Sequence, residues 1–315
     1  MRLRLGLSLS LLLVAMPLAA QHAYISSQAA NKITVLDIDT QKITATVDVT
    51  TGPVGVSLDN KRHELFVTHP EQGVVTMIDT KNNKKLAEIN TGGQPFAIAV
   101  DPSDKHQVFV SDWHRNAVVV INPETKLVVD LLSVGKNPAG LALDNATRRI
   151  FVANRNSDTL TVLDADTPRQ YAEVKTGKAP YAVAVSPDSK RIFVTAIQDN
   201  TITVIDGESY EVVKTLKAGT APYGIAVTPD NQWLFVANQG TNDVWVFDTE
   251  TLEIVSKIKV GEMPETVASS DDSQYAYVTN WFSNTLSVID IKQQQVVQHL
   301  PMPDGPRSLG RFIGN

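Results

Sequence analysis

The sequence predicts an all-β fold: a seven-bladed β-propeller of four-stranded blades, with the closing blade split between N-terminal strands and a C-terminal innermost strand. Three observations predict it. A proline turn recurs seven times, each period holds four short strand-like runs, and a part-period stands at each end of the chain. The prolines are Pro53, Pro95, Pro138, Pro180, Pro222, Pro264 and Pro306, spaced by 42, 43, 42, 42, 42 and 42 residues.

The elements of one period follow in order. An apolar inner strand comes straight after the proline. Thirteen or fourteen residues beyond each of the first six prolines an aromatic strand begins and runs to a mostly polar end: Phe66 to His69, Phe109 to Asp112, Phe151 to Asn154, Phe193 to Ala196, Phe235 to Asn238 and Tyr277 to Asn280. A third strand ends in Asp79, Asn122, Asp164, Asp206, Asp248 or Asp290, and a fourth follows, as in Glu211 to Leu216. These runs are rich in Val, Ile, Thr and aromatics with turn residues between them, and none sustains a helical period. Four strands in a repeat of roughly 40–45 residues is a propeller blade, whereas β-helix repeats are shorter and carry fewer strands.

Closure follows from the ends. Pro306 to Asn315 supplies one inner strand, while Tyr24 to Ser27 and Ile33 to Asp37 match the second and third strands of the same blade. One period beyond Tyr277 falls 295 residues past Tyr24, and one period beyond Asp290 falls 295 residues past Asp37. Residues 21–315 number 295 as well. Pairing the two ends removes the open sheet edge and unburied blade face of a linear array. On the inner strands, small residues (Gly55, Ala97, Gly140, Ala182, Gly224) flank a large one (Val56, Ile98, Leu141, Val183, Ile225), which suits blades converging on an axis.

Residues 1–20 read as a secretory signal peptide, leaving 21–315 as the propeller. Arg2 and Arg4 precede the apolar run Leu5 to Leu13, Pro17 breaks it, and Ala19-Ala20 offers a cleavage site. The expected location is therefore periplasmic or secreted. The chain has no cysteine, which excludes disulfides, CxxCH haem attachment and cysteine-bound zinc. Without Arg2 and Arg4, 26 basic residues face 34 acidic ones, a net charge of −8 that disfavours general nucleic-acid binding.

Phe151-Val152-Ala153-Asn154, Phe235-Val236-Ala237-Asn238 and Tyr277-Val278-Thr279-Asn280 resemble the repeat of YVTN-type β-propellers, and the chain is similar to their stand-alone periplasmic YncE-like members. The resemblance spans residues 21–315 and concerns structural positions. It implies the fold and a range of roles: surface proteins, nucleic-acid binders, a dehydrogenase subunit and zinc carriers. It transfers no catalytic residue.

Strand direction places the proline turns and the loops after the aromatic strands on one face, the top, where propeller ligands commonly sit. The residues after the prolines (Val54, Phe96, Ala139, Tyr181, Tyr223, Glu265, Arg307) are expected to ring the mouth. Variation at matched positions is the informative signal, since a structural need would repeat one residue.

Phe96, Trp113, Tyr181, Tyr223 and Trp281 with Arg115, Arg155 and Arg307 form a candidate set to stack and clamp a planar or anionic ligand. The plainer reading is mouth packing, with Glu265 and Arg307 as an ion pair. His69, Asp112 and His114 form a candidate zinc or copper site, with His22 as a distant fourth ligand. Their plainer reading is turn capping. His63 and His106 are expected to be solvated in matching turns of the bottom face, and the recurrent Asp79, Asp164, Asp206, Asp248 and Asp290 to be turn acceptors. No Gly-x-Ser-x-Gly, HExxH or phosphate loop occurs. The leading expectation is a binding module without a catalytic step, taking an unknown protein or small ligand at its top face. A metal carrier comes second and a lactonase- or lyase-type enzyme third.

Overall fold

The computed structural model describes residues 21–314, so the expected signal peptide at 1–20 lies outside the described residues. Seven antiparallel four-stranded sheets follow one another along the chain, as the repeat requires. Blade one is Val56–Asp59, Glu64–His69, Val74–Asp79 and Lys84–Asn90, from the axis outward. The closing blade orders Ile313–Gly314, His22–Ser27, Lys32–Asp37 and Lys42–Asp48. Its two ends are joined where Tyr24 N donates to Phe312 O at 2.8 Å and Arg307 N to Ser26 O at 2.8 Å. Phe312 is fully buried beside Tyr24 and Tyr277.

Burial explains the residue pattern. The aromatic strands are buried on both faces because each blade is packed between two others, so they read as continuous apolar runs. Outer strands such as Leu127–Ser133 are mostly exposed and bury only one apolar residue, here Leu132. Every outer strand carries a bulge, for example opposite Val120/Ile121 and Val162/Leu163, which adds twist.

Two repeated devices fix the top face. The first is a residue of positive φ in the turn between the aromatic strand and the third strand: Asn31, Asn116, Asp158, Asn200, Asn242 and Asn284, with Gly73 at the matching place in blade one. Asn and Asp tolerate this conformation, and their side-chain oxygens hold the next proline turn. Asn116 Oδ1 accepts from Asn137 N at 2.8 Å, Asn200 Oδ1 from Ala221 N at 2.8 Å and Asn284 Oδ1 from Gly305 N at 2.9 Å.

The second device is a hydroxyl near the end of the aromatic strand that staples neighbouring blades. Thr68 Oγ1 donates to Phe96 O at 2.6 Å, Ser111 Oγ to Ala139 O at 2.6 Å and Thr195 Oγ1 to Tyr223 O at 3.0 Å. Thr279 Oγ1 donates to Arg307 O at 2.9 Å, and Ser26 Oγ to Val54 O at 2.9 Å. Every acceptor is the carbonyl of a residue that follows a mouth proline. Ala153 and Ala237 have no hydroxyl to offer. There the inner-strand glycines lie against the next blade: a Cβ on Gly140 would stand 2.4 Å from Tyr181 O, and one on Gly224 2.6 Å from Glu265 O.

Candidate ligand-binding mouth

The stapled turns aim the mouth residues toward the axis, and six of the expected site residues meet in one depression of about 290 Å³: Phe96, Trp113, Arg155, Tyr181, Tyr223 and Arg307. Its floor is a chain of rings. Phe96 stands 5.6 Å from Trp113 and 6.0 Å edge-on from Tyr181, and Tyr181 stands 4.2 Å from Tyr223, centroid to centroid.

The charges differ in kind. Arg307 Nε lies 3.2 Å from Glu265 Oε2, an ion pair that is nearly closed to solvent. The same guanidinium donates to Gln28 Oε1 at 2.8 Å and to the Tyr181 hydroxyl at 3.1 Å, while Gln239 Nε2 donates to Glu265 Oε1 at 2.7 Å. Burial pushes the Glu265 carboxyl above its usual range, opposed by Arg307 and by the Gln239 bond. Burial also raises the phenols of Tyr181 and Tyr223, so both stay protonated donors at neutral pH. Arg307 is thus neutralised by Glu265. Arg155 is not: among the described residues no carboxylate lies within 4.0 Å of it, and its buried Nε has no hydrogen-bond partner. Its guanidinium carbon sits 5.5 Å from the Trp113 ring centre.

The family profile of the YNCE-like beta-propeller matches residues 99–196 and 145–267, together more than half of the chain. The chain belongs to the YNCE-like β-propeller family. No curated protein matches it in sequence. Among solved structures it is similar to hydrazine synthase of Kuenenia stuttgartiensis, at 22% identity and TM-score 0.76 over 85% of this chain and 91% of that one. It is also similar to a functionally unknown protein of Desulfotomaculum acetoxidans, at 16% identity and TM-score 0.79 over 92% of this chain and 99% of that one. At these identities the likeness is one of fold.

Two expected members of the clamp lie elsewhere on this YNCE-like propeller. Arg115 turns to backbone, donating to Thr91 O at 2.7 Å and Gly92 O at 2.6 Å. Trp281 pairs with Phe282 at 6.3 Å and stands by Gly305. Sequence reasoning passed over Pro70, Glu71 and Gln94, which also line the depression. They adjoin His69 and Pro95 in loops already assigned to the top face, and that adjacency was the available signal.

The expected metal set is corrected. His69, Asp112 and His114 do not bring their ligand atoms together among the described residues. His69 is fully buried, its Nδ1 donates to Thr51 O at 3.3 Å and its Nε2 accepts from Thr76 Oγ1 at 2.9 Å, so no ring nitrogen is left for a metal. It fills the slot of the repeat asparagine, since Asn154 bonds Thr161 and Asn280 bonds Ser287 at the same offset of seven residues. Burial holds its imidazole down at a pKa of about 4. Asp112 Oδ1 caps its own turn, accepting from the backbone of His114 and Arg115 at 3.0 Å each, and His114 itself is exposed. The recurrent aspartates are turn acceptors as expected: Asp206 Oδ1 takes Ser209 N at 2.8 Å and Asp248 Oδ1 takes Thr251 N at 2.7 Å. His106 departs from expectation, being 4% exposed and hydrogen-bonded to Glu64.

Proposed function

We propose that this propeller is an exported binding protein whose mouth takes a planar anion, or a protein or nucleic-acid segment that presents one, without a catalytic step. The observation that supports it is Arg155: a guanidinium with no ion-pair partner among the described residues, set beside a ring floor in an open depression. A flat ligand stacking on Trp113 and Phe96 gains apolar contact, and its anionic group gains a charge-assisted bond to Arg155. Arg307 is already paired with Glu265, so it orients the floor and adds little net attraction.

The test is tryptophan fluorescence titration with three probes: naphthoate, naphthylmethylammonium and oligothymidylate. Naphthoate should bind, the ammonium analogue should not, and Arg155→Ala should weaken naphthoate at least about tenfold, the worth of one charged hydrogen bond. Equal binding of both naphthalenes, or naphthoate binding unchanged in Arg155→Ala, overturns the reading. Tight oligothymidylate binding that needs Arg155 would identify the anion as nucleic acid despite the net charge. Export is tested by intact mass of protein secreted from full-length precursor. A start at Gln21 is expected, and a retained residue 1–20 segment overturns it.

A further inference from the structure

We propose that Asp59, Glu64 and His106 form a site for one divalent transition metal of the zinc class, bridging blades one and two on the bottom face. The proposal is independent of the mouth.

It starts from the one irregularity in the repeat. The proline-to-aromatic distance is 13 residues in five blades and 14 in blade two, from Pro95 to Phe109. The extra residue falls in the turn after Val100, which carries His106 at a φ of +45° and sets its ring against blade one. The partners are equally specific to one place. The positions of Asp59 and Glu64 hold Asp101 and Gln107, Asp144 and Arg149, Ser186 and Arg191, Thr228 and Trp233, and Ser270 and Tyr275 in the following blades. Only blade one has a carboxylate at both, so the fold does not require the pair.

The geometry suits a metal. One ligand atom from each of the three residues lies within 4.8 Å of the others. His106 Nε2 stands 2.8 Å from Glu64 Oε2 and 3.7 Å from Asp59 Oδ2. Nitrogen and oxygen ligands at roughly 2.0–2.2 Å around a tetrahedral zinc are about 3.3–3.6 Å apart, between those two values. Asp59 is fully buried and His106 nearly so, while Glu64 keeps its side chain 16% exposed and leaves an entry path. The Phe66 ring meets the imidazole edge-on at 6.5 Å and fixes its plane.

The charge balance points the same way. Arg62 donates to Asp59 Oδ2 at 2.8 Å and is anchored across the blade gap by Ser103 O at 3.0 Å. That guanidinium bonds Asp59 and not Glu64, whose partner among the described residues is His106 Nε2. Asp59 Oδ2, the oxygen nearer His106 Nε2, would be shared between the cation and Arg62, while Oδ1 keeps its bond from Arg62 N at 3.2 Å. Three protein ligands then leave the fourth position to water.

The experiment is calorimetry and melting of the whole mature protein with zinc sulfate, repeated on His106→Gln, Glu64→Gln and the control His114→Ala. One zinc per chain at a dissociation constant below about ten micromolar is expected, weakened at least tenfold by either of the first two substitutions and unchanged by the control. Cobalt(II) in place of zinc should give visible absorption that His106→Gln abolishes. Melting curves without metal establish that each variant is folded, and Glu64→Gln decides the matter if His106→Gln is not. No uptake below about ten micromolar, or uptake that survives both substitutions, means a salt-bridge cluster or surface binding only and overturns the site.

Discussion

Replacing His69 with asparagine should flatten the acid sensitivity of the fold between pH 7 and 5. The folded imidazole is held at a pKa of about 4 by burial, against an ordinary value of 6.5 in the unfolded chain. A group depressed on folding gives its full contribution above the unfolded value and loses it as the pH falls, until the loss levels off near the folded value. Worked through the two protonation equilibria, the loss from pH 7 to pH 5 is about 2 kcal/mol. With an unfolding entropy of about 2.1 cal/mol/K per residue over some 290 residues, this lowers Tm by about 3 °C. Asparagine removes the titration and keeps the bond, because Asn154 Nδ2 already makes it to Thr161 Oγ1 at 2.8 Å in blade three. The smaller side chain lowers Tm by one amount at every pH, so the slope is the readout. The assay is calorimetric melting of both proteins at half-unit steps. If His69→Asn loses as much Tm between pH 7 and 5 as the parent, the buried neutral imidazole is not the cause.

Thr195→Val should cost about 2–4 kcal/mol, because it strips Tyr223 O and Ala182 N of their shared hydroxyl, while Thr195→Ser should recover most of that; equal losses in urea melts would dismiss the staple. Glu265→Gln should cost about 3–5 kcal/mol by leaving Arg307 buried without its counter-charge, and Glu265→Gln/Arg307→Met should restore much of it. A double variant no more stable than the single one in thermal melts would show that the pair is not what holds the mouth. Deleting residues 306–315 should abolish cooperative melting, since it removes the buried Phe312 and Ile313 and bares two blade faces, whereas trimming Gln21 should leave Tm within a degree or so. A native melting curve for the C-terminal deletion would separate closure from this segment.

Blade number, strand order, closure and the gathering of the proline turns with the loops after the aromatic strands were legible in the sequence, because each rests on local chemistry repeated every 42 residues. A proline turn, an aromatic strand and an Asp-capped hairpin are set by neighbours within a few positions, and repetition made even the split blade countable. The ring of residues after the prolines was legible for the same reason, and so was the Glu265–Arg307 pair. What the tertiary structure decided is which side chains meet. Arg307 reaches the Tyr181 hydroxyl across 126 residues, while Arg115, three residues from the Asp112 that caps its turn, spends its guanidinium on the carbonyls of Thr91 and Gly92 in the connection between two blades. His69 looked informative because it broke the asparagine pattern, yet packing gives it the asparagine's place and closes it to any ligand. His106 looked like a solvated turn residue, yet one inserted residue buries it against a carboxylate 42 positions earlier. Backbone period is a local property and repeats down the chain. The direction of a side chain, and what it touches, is fixed by the blade packed beside it, and that neighbour stands 21 to 42 residues or more away in sequence.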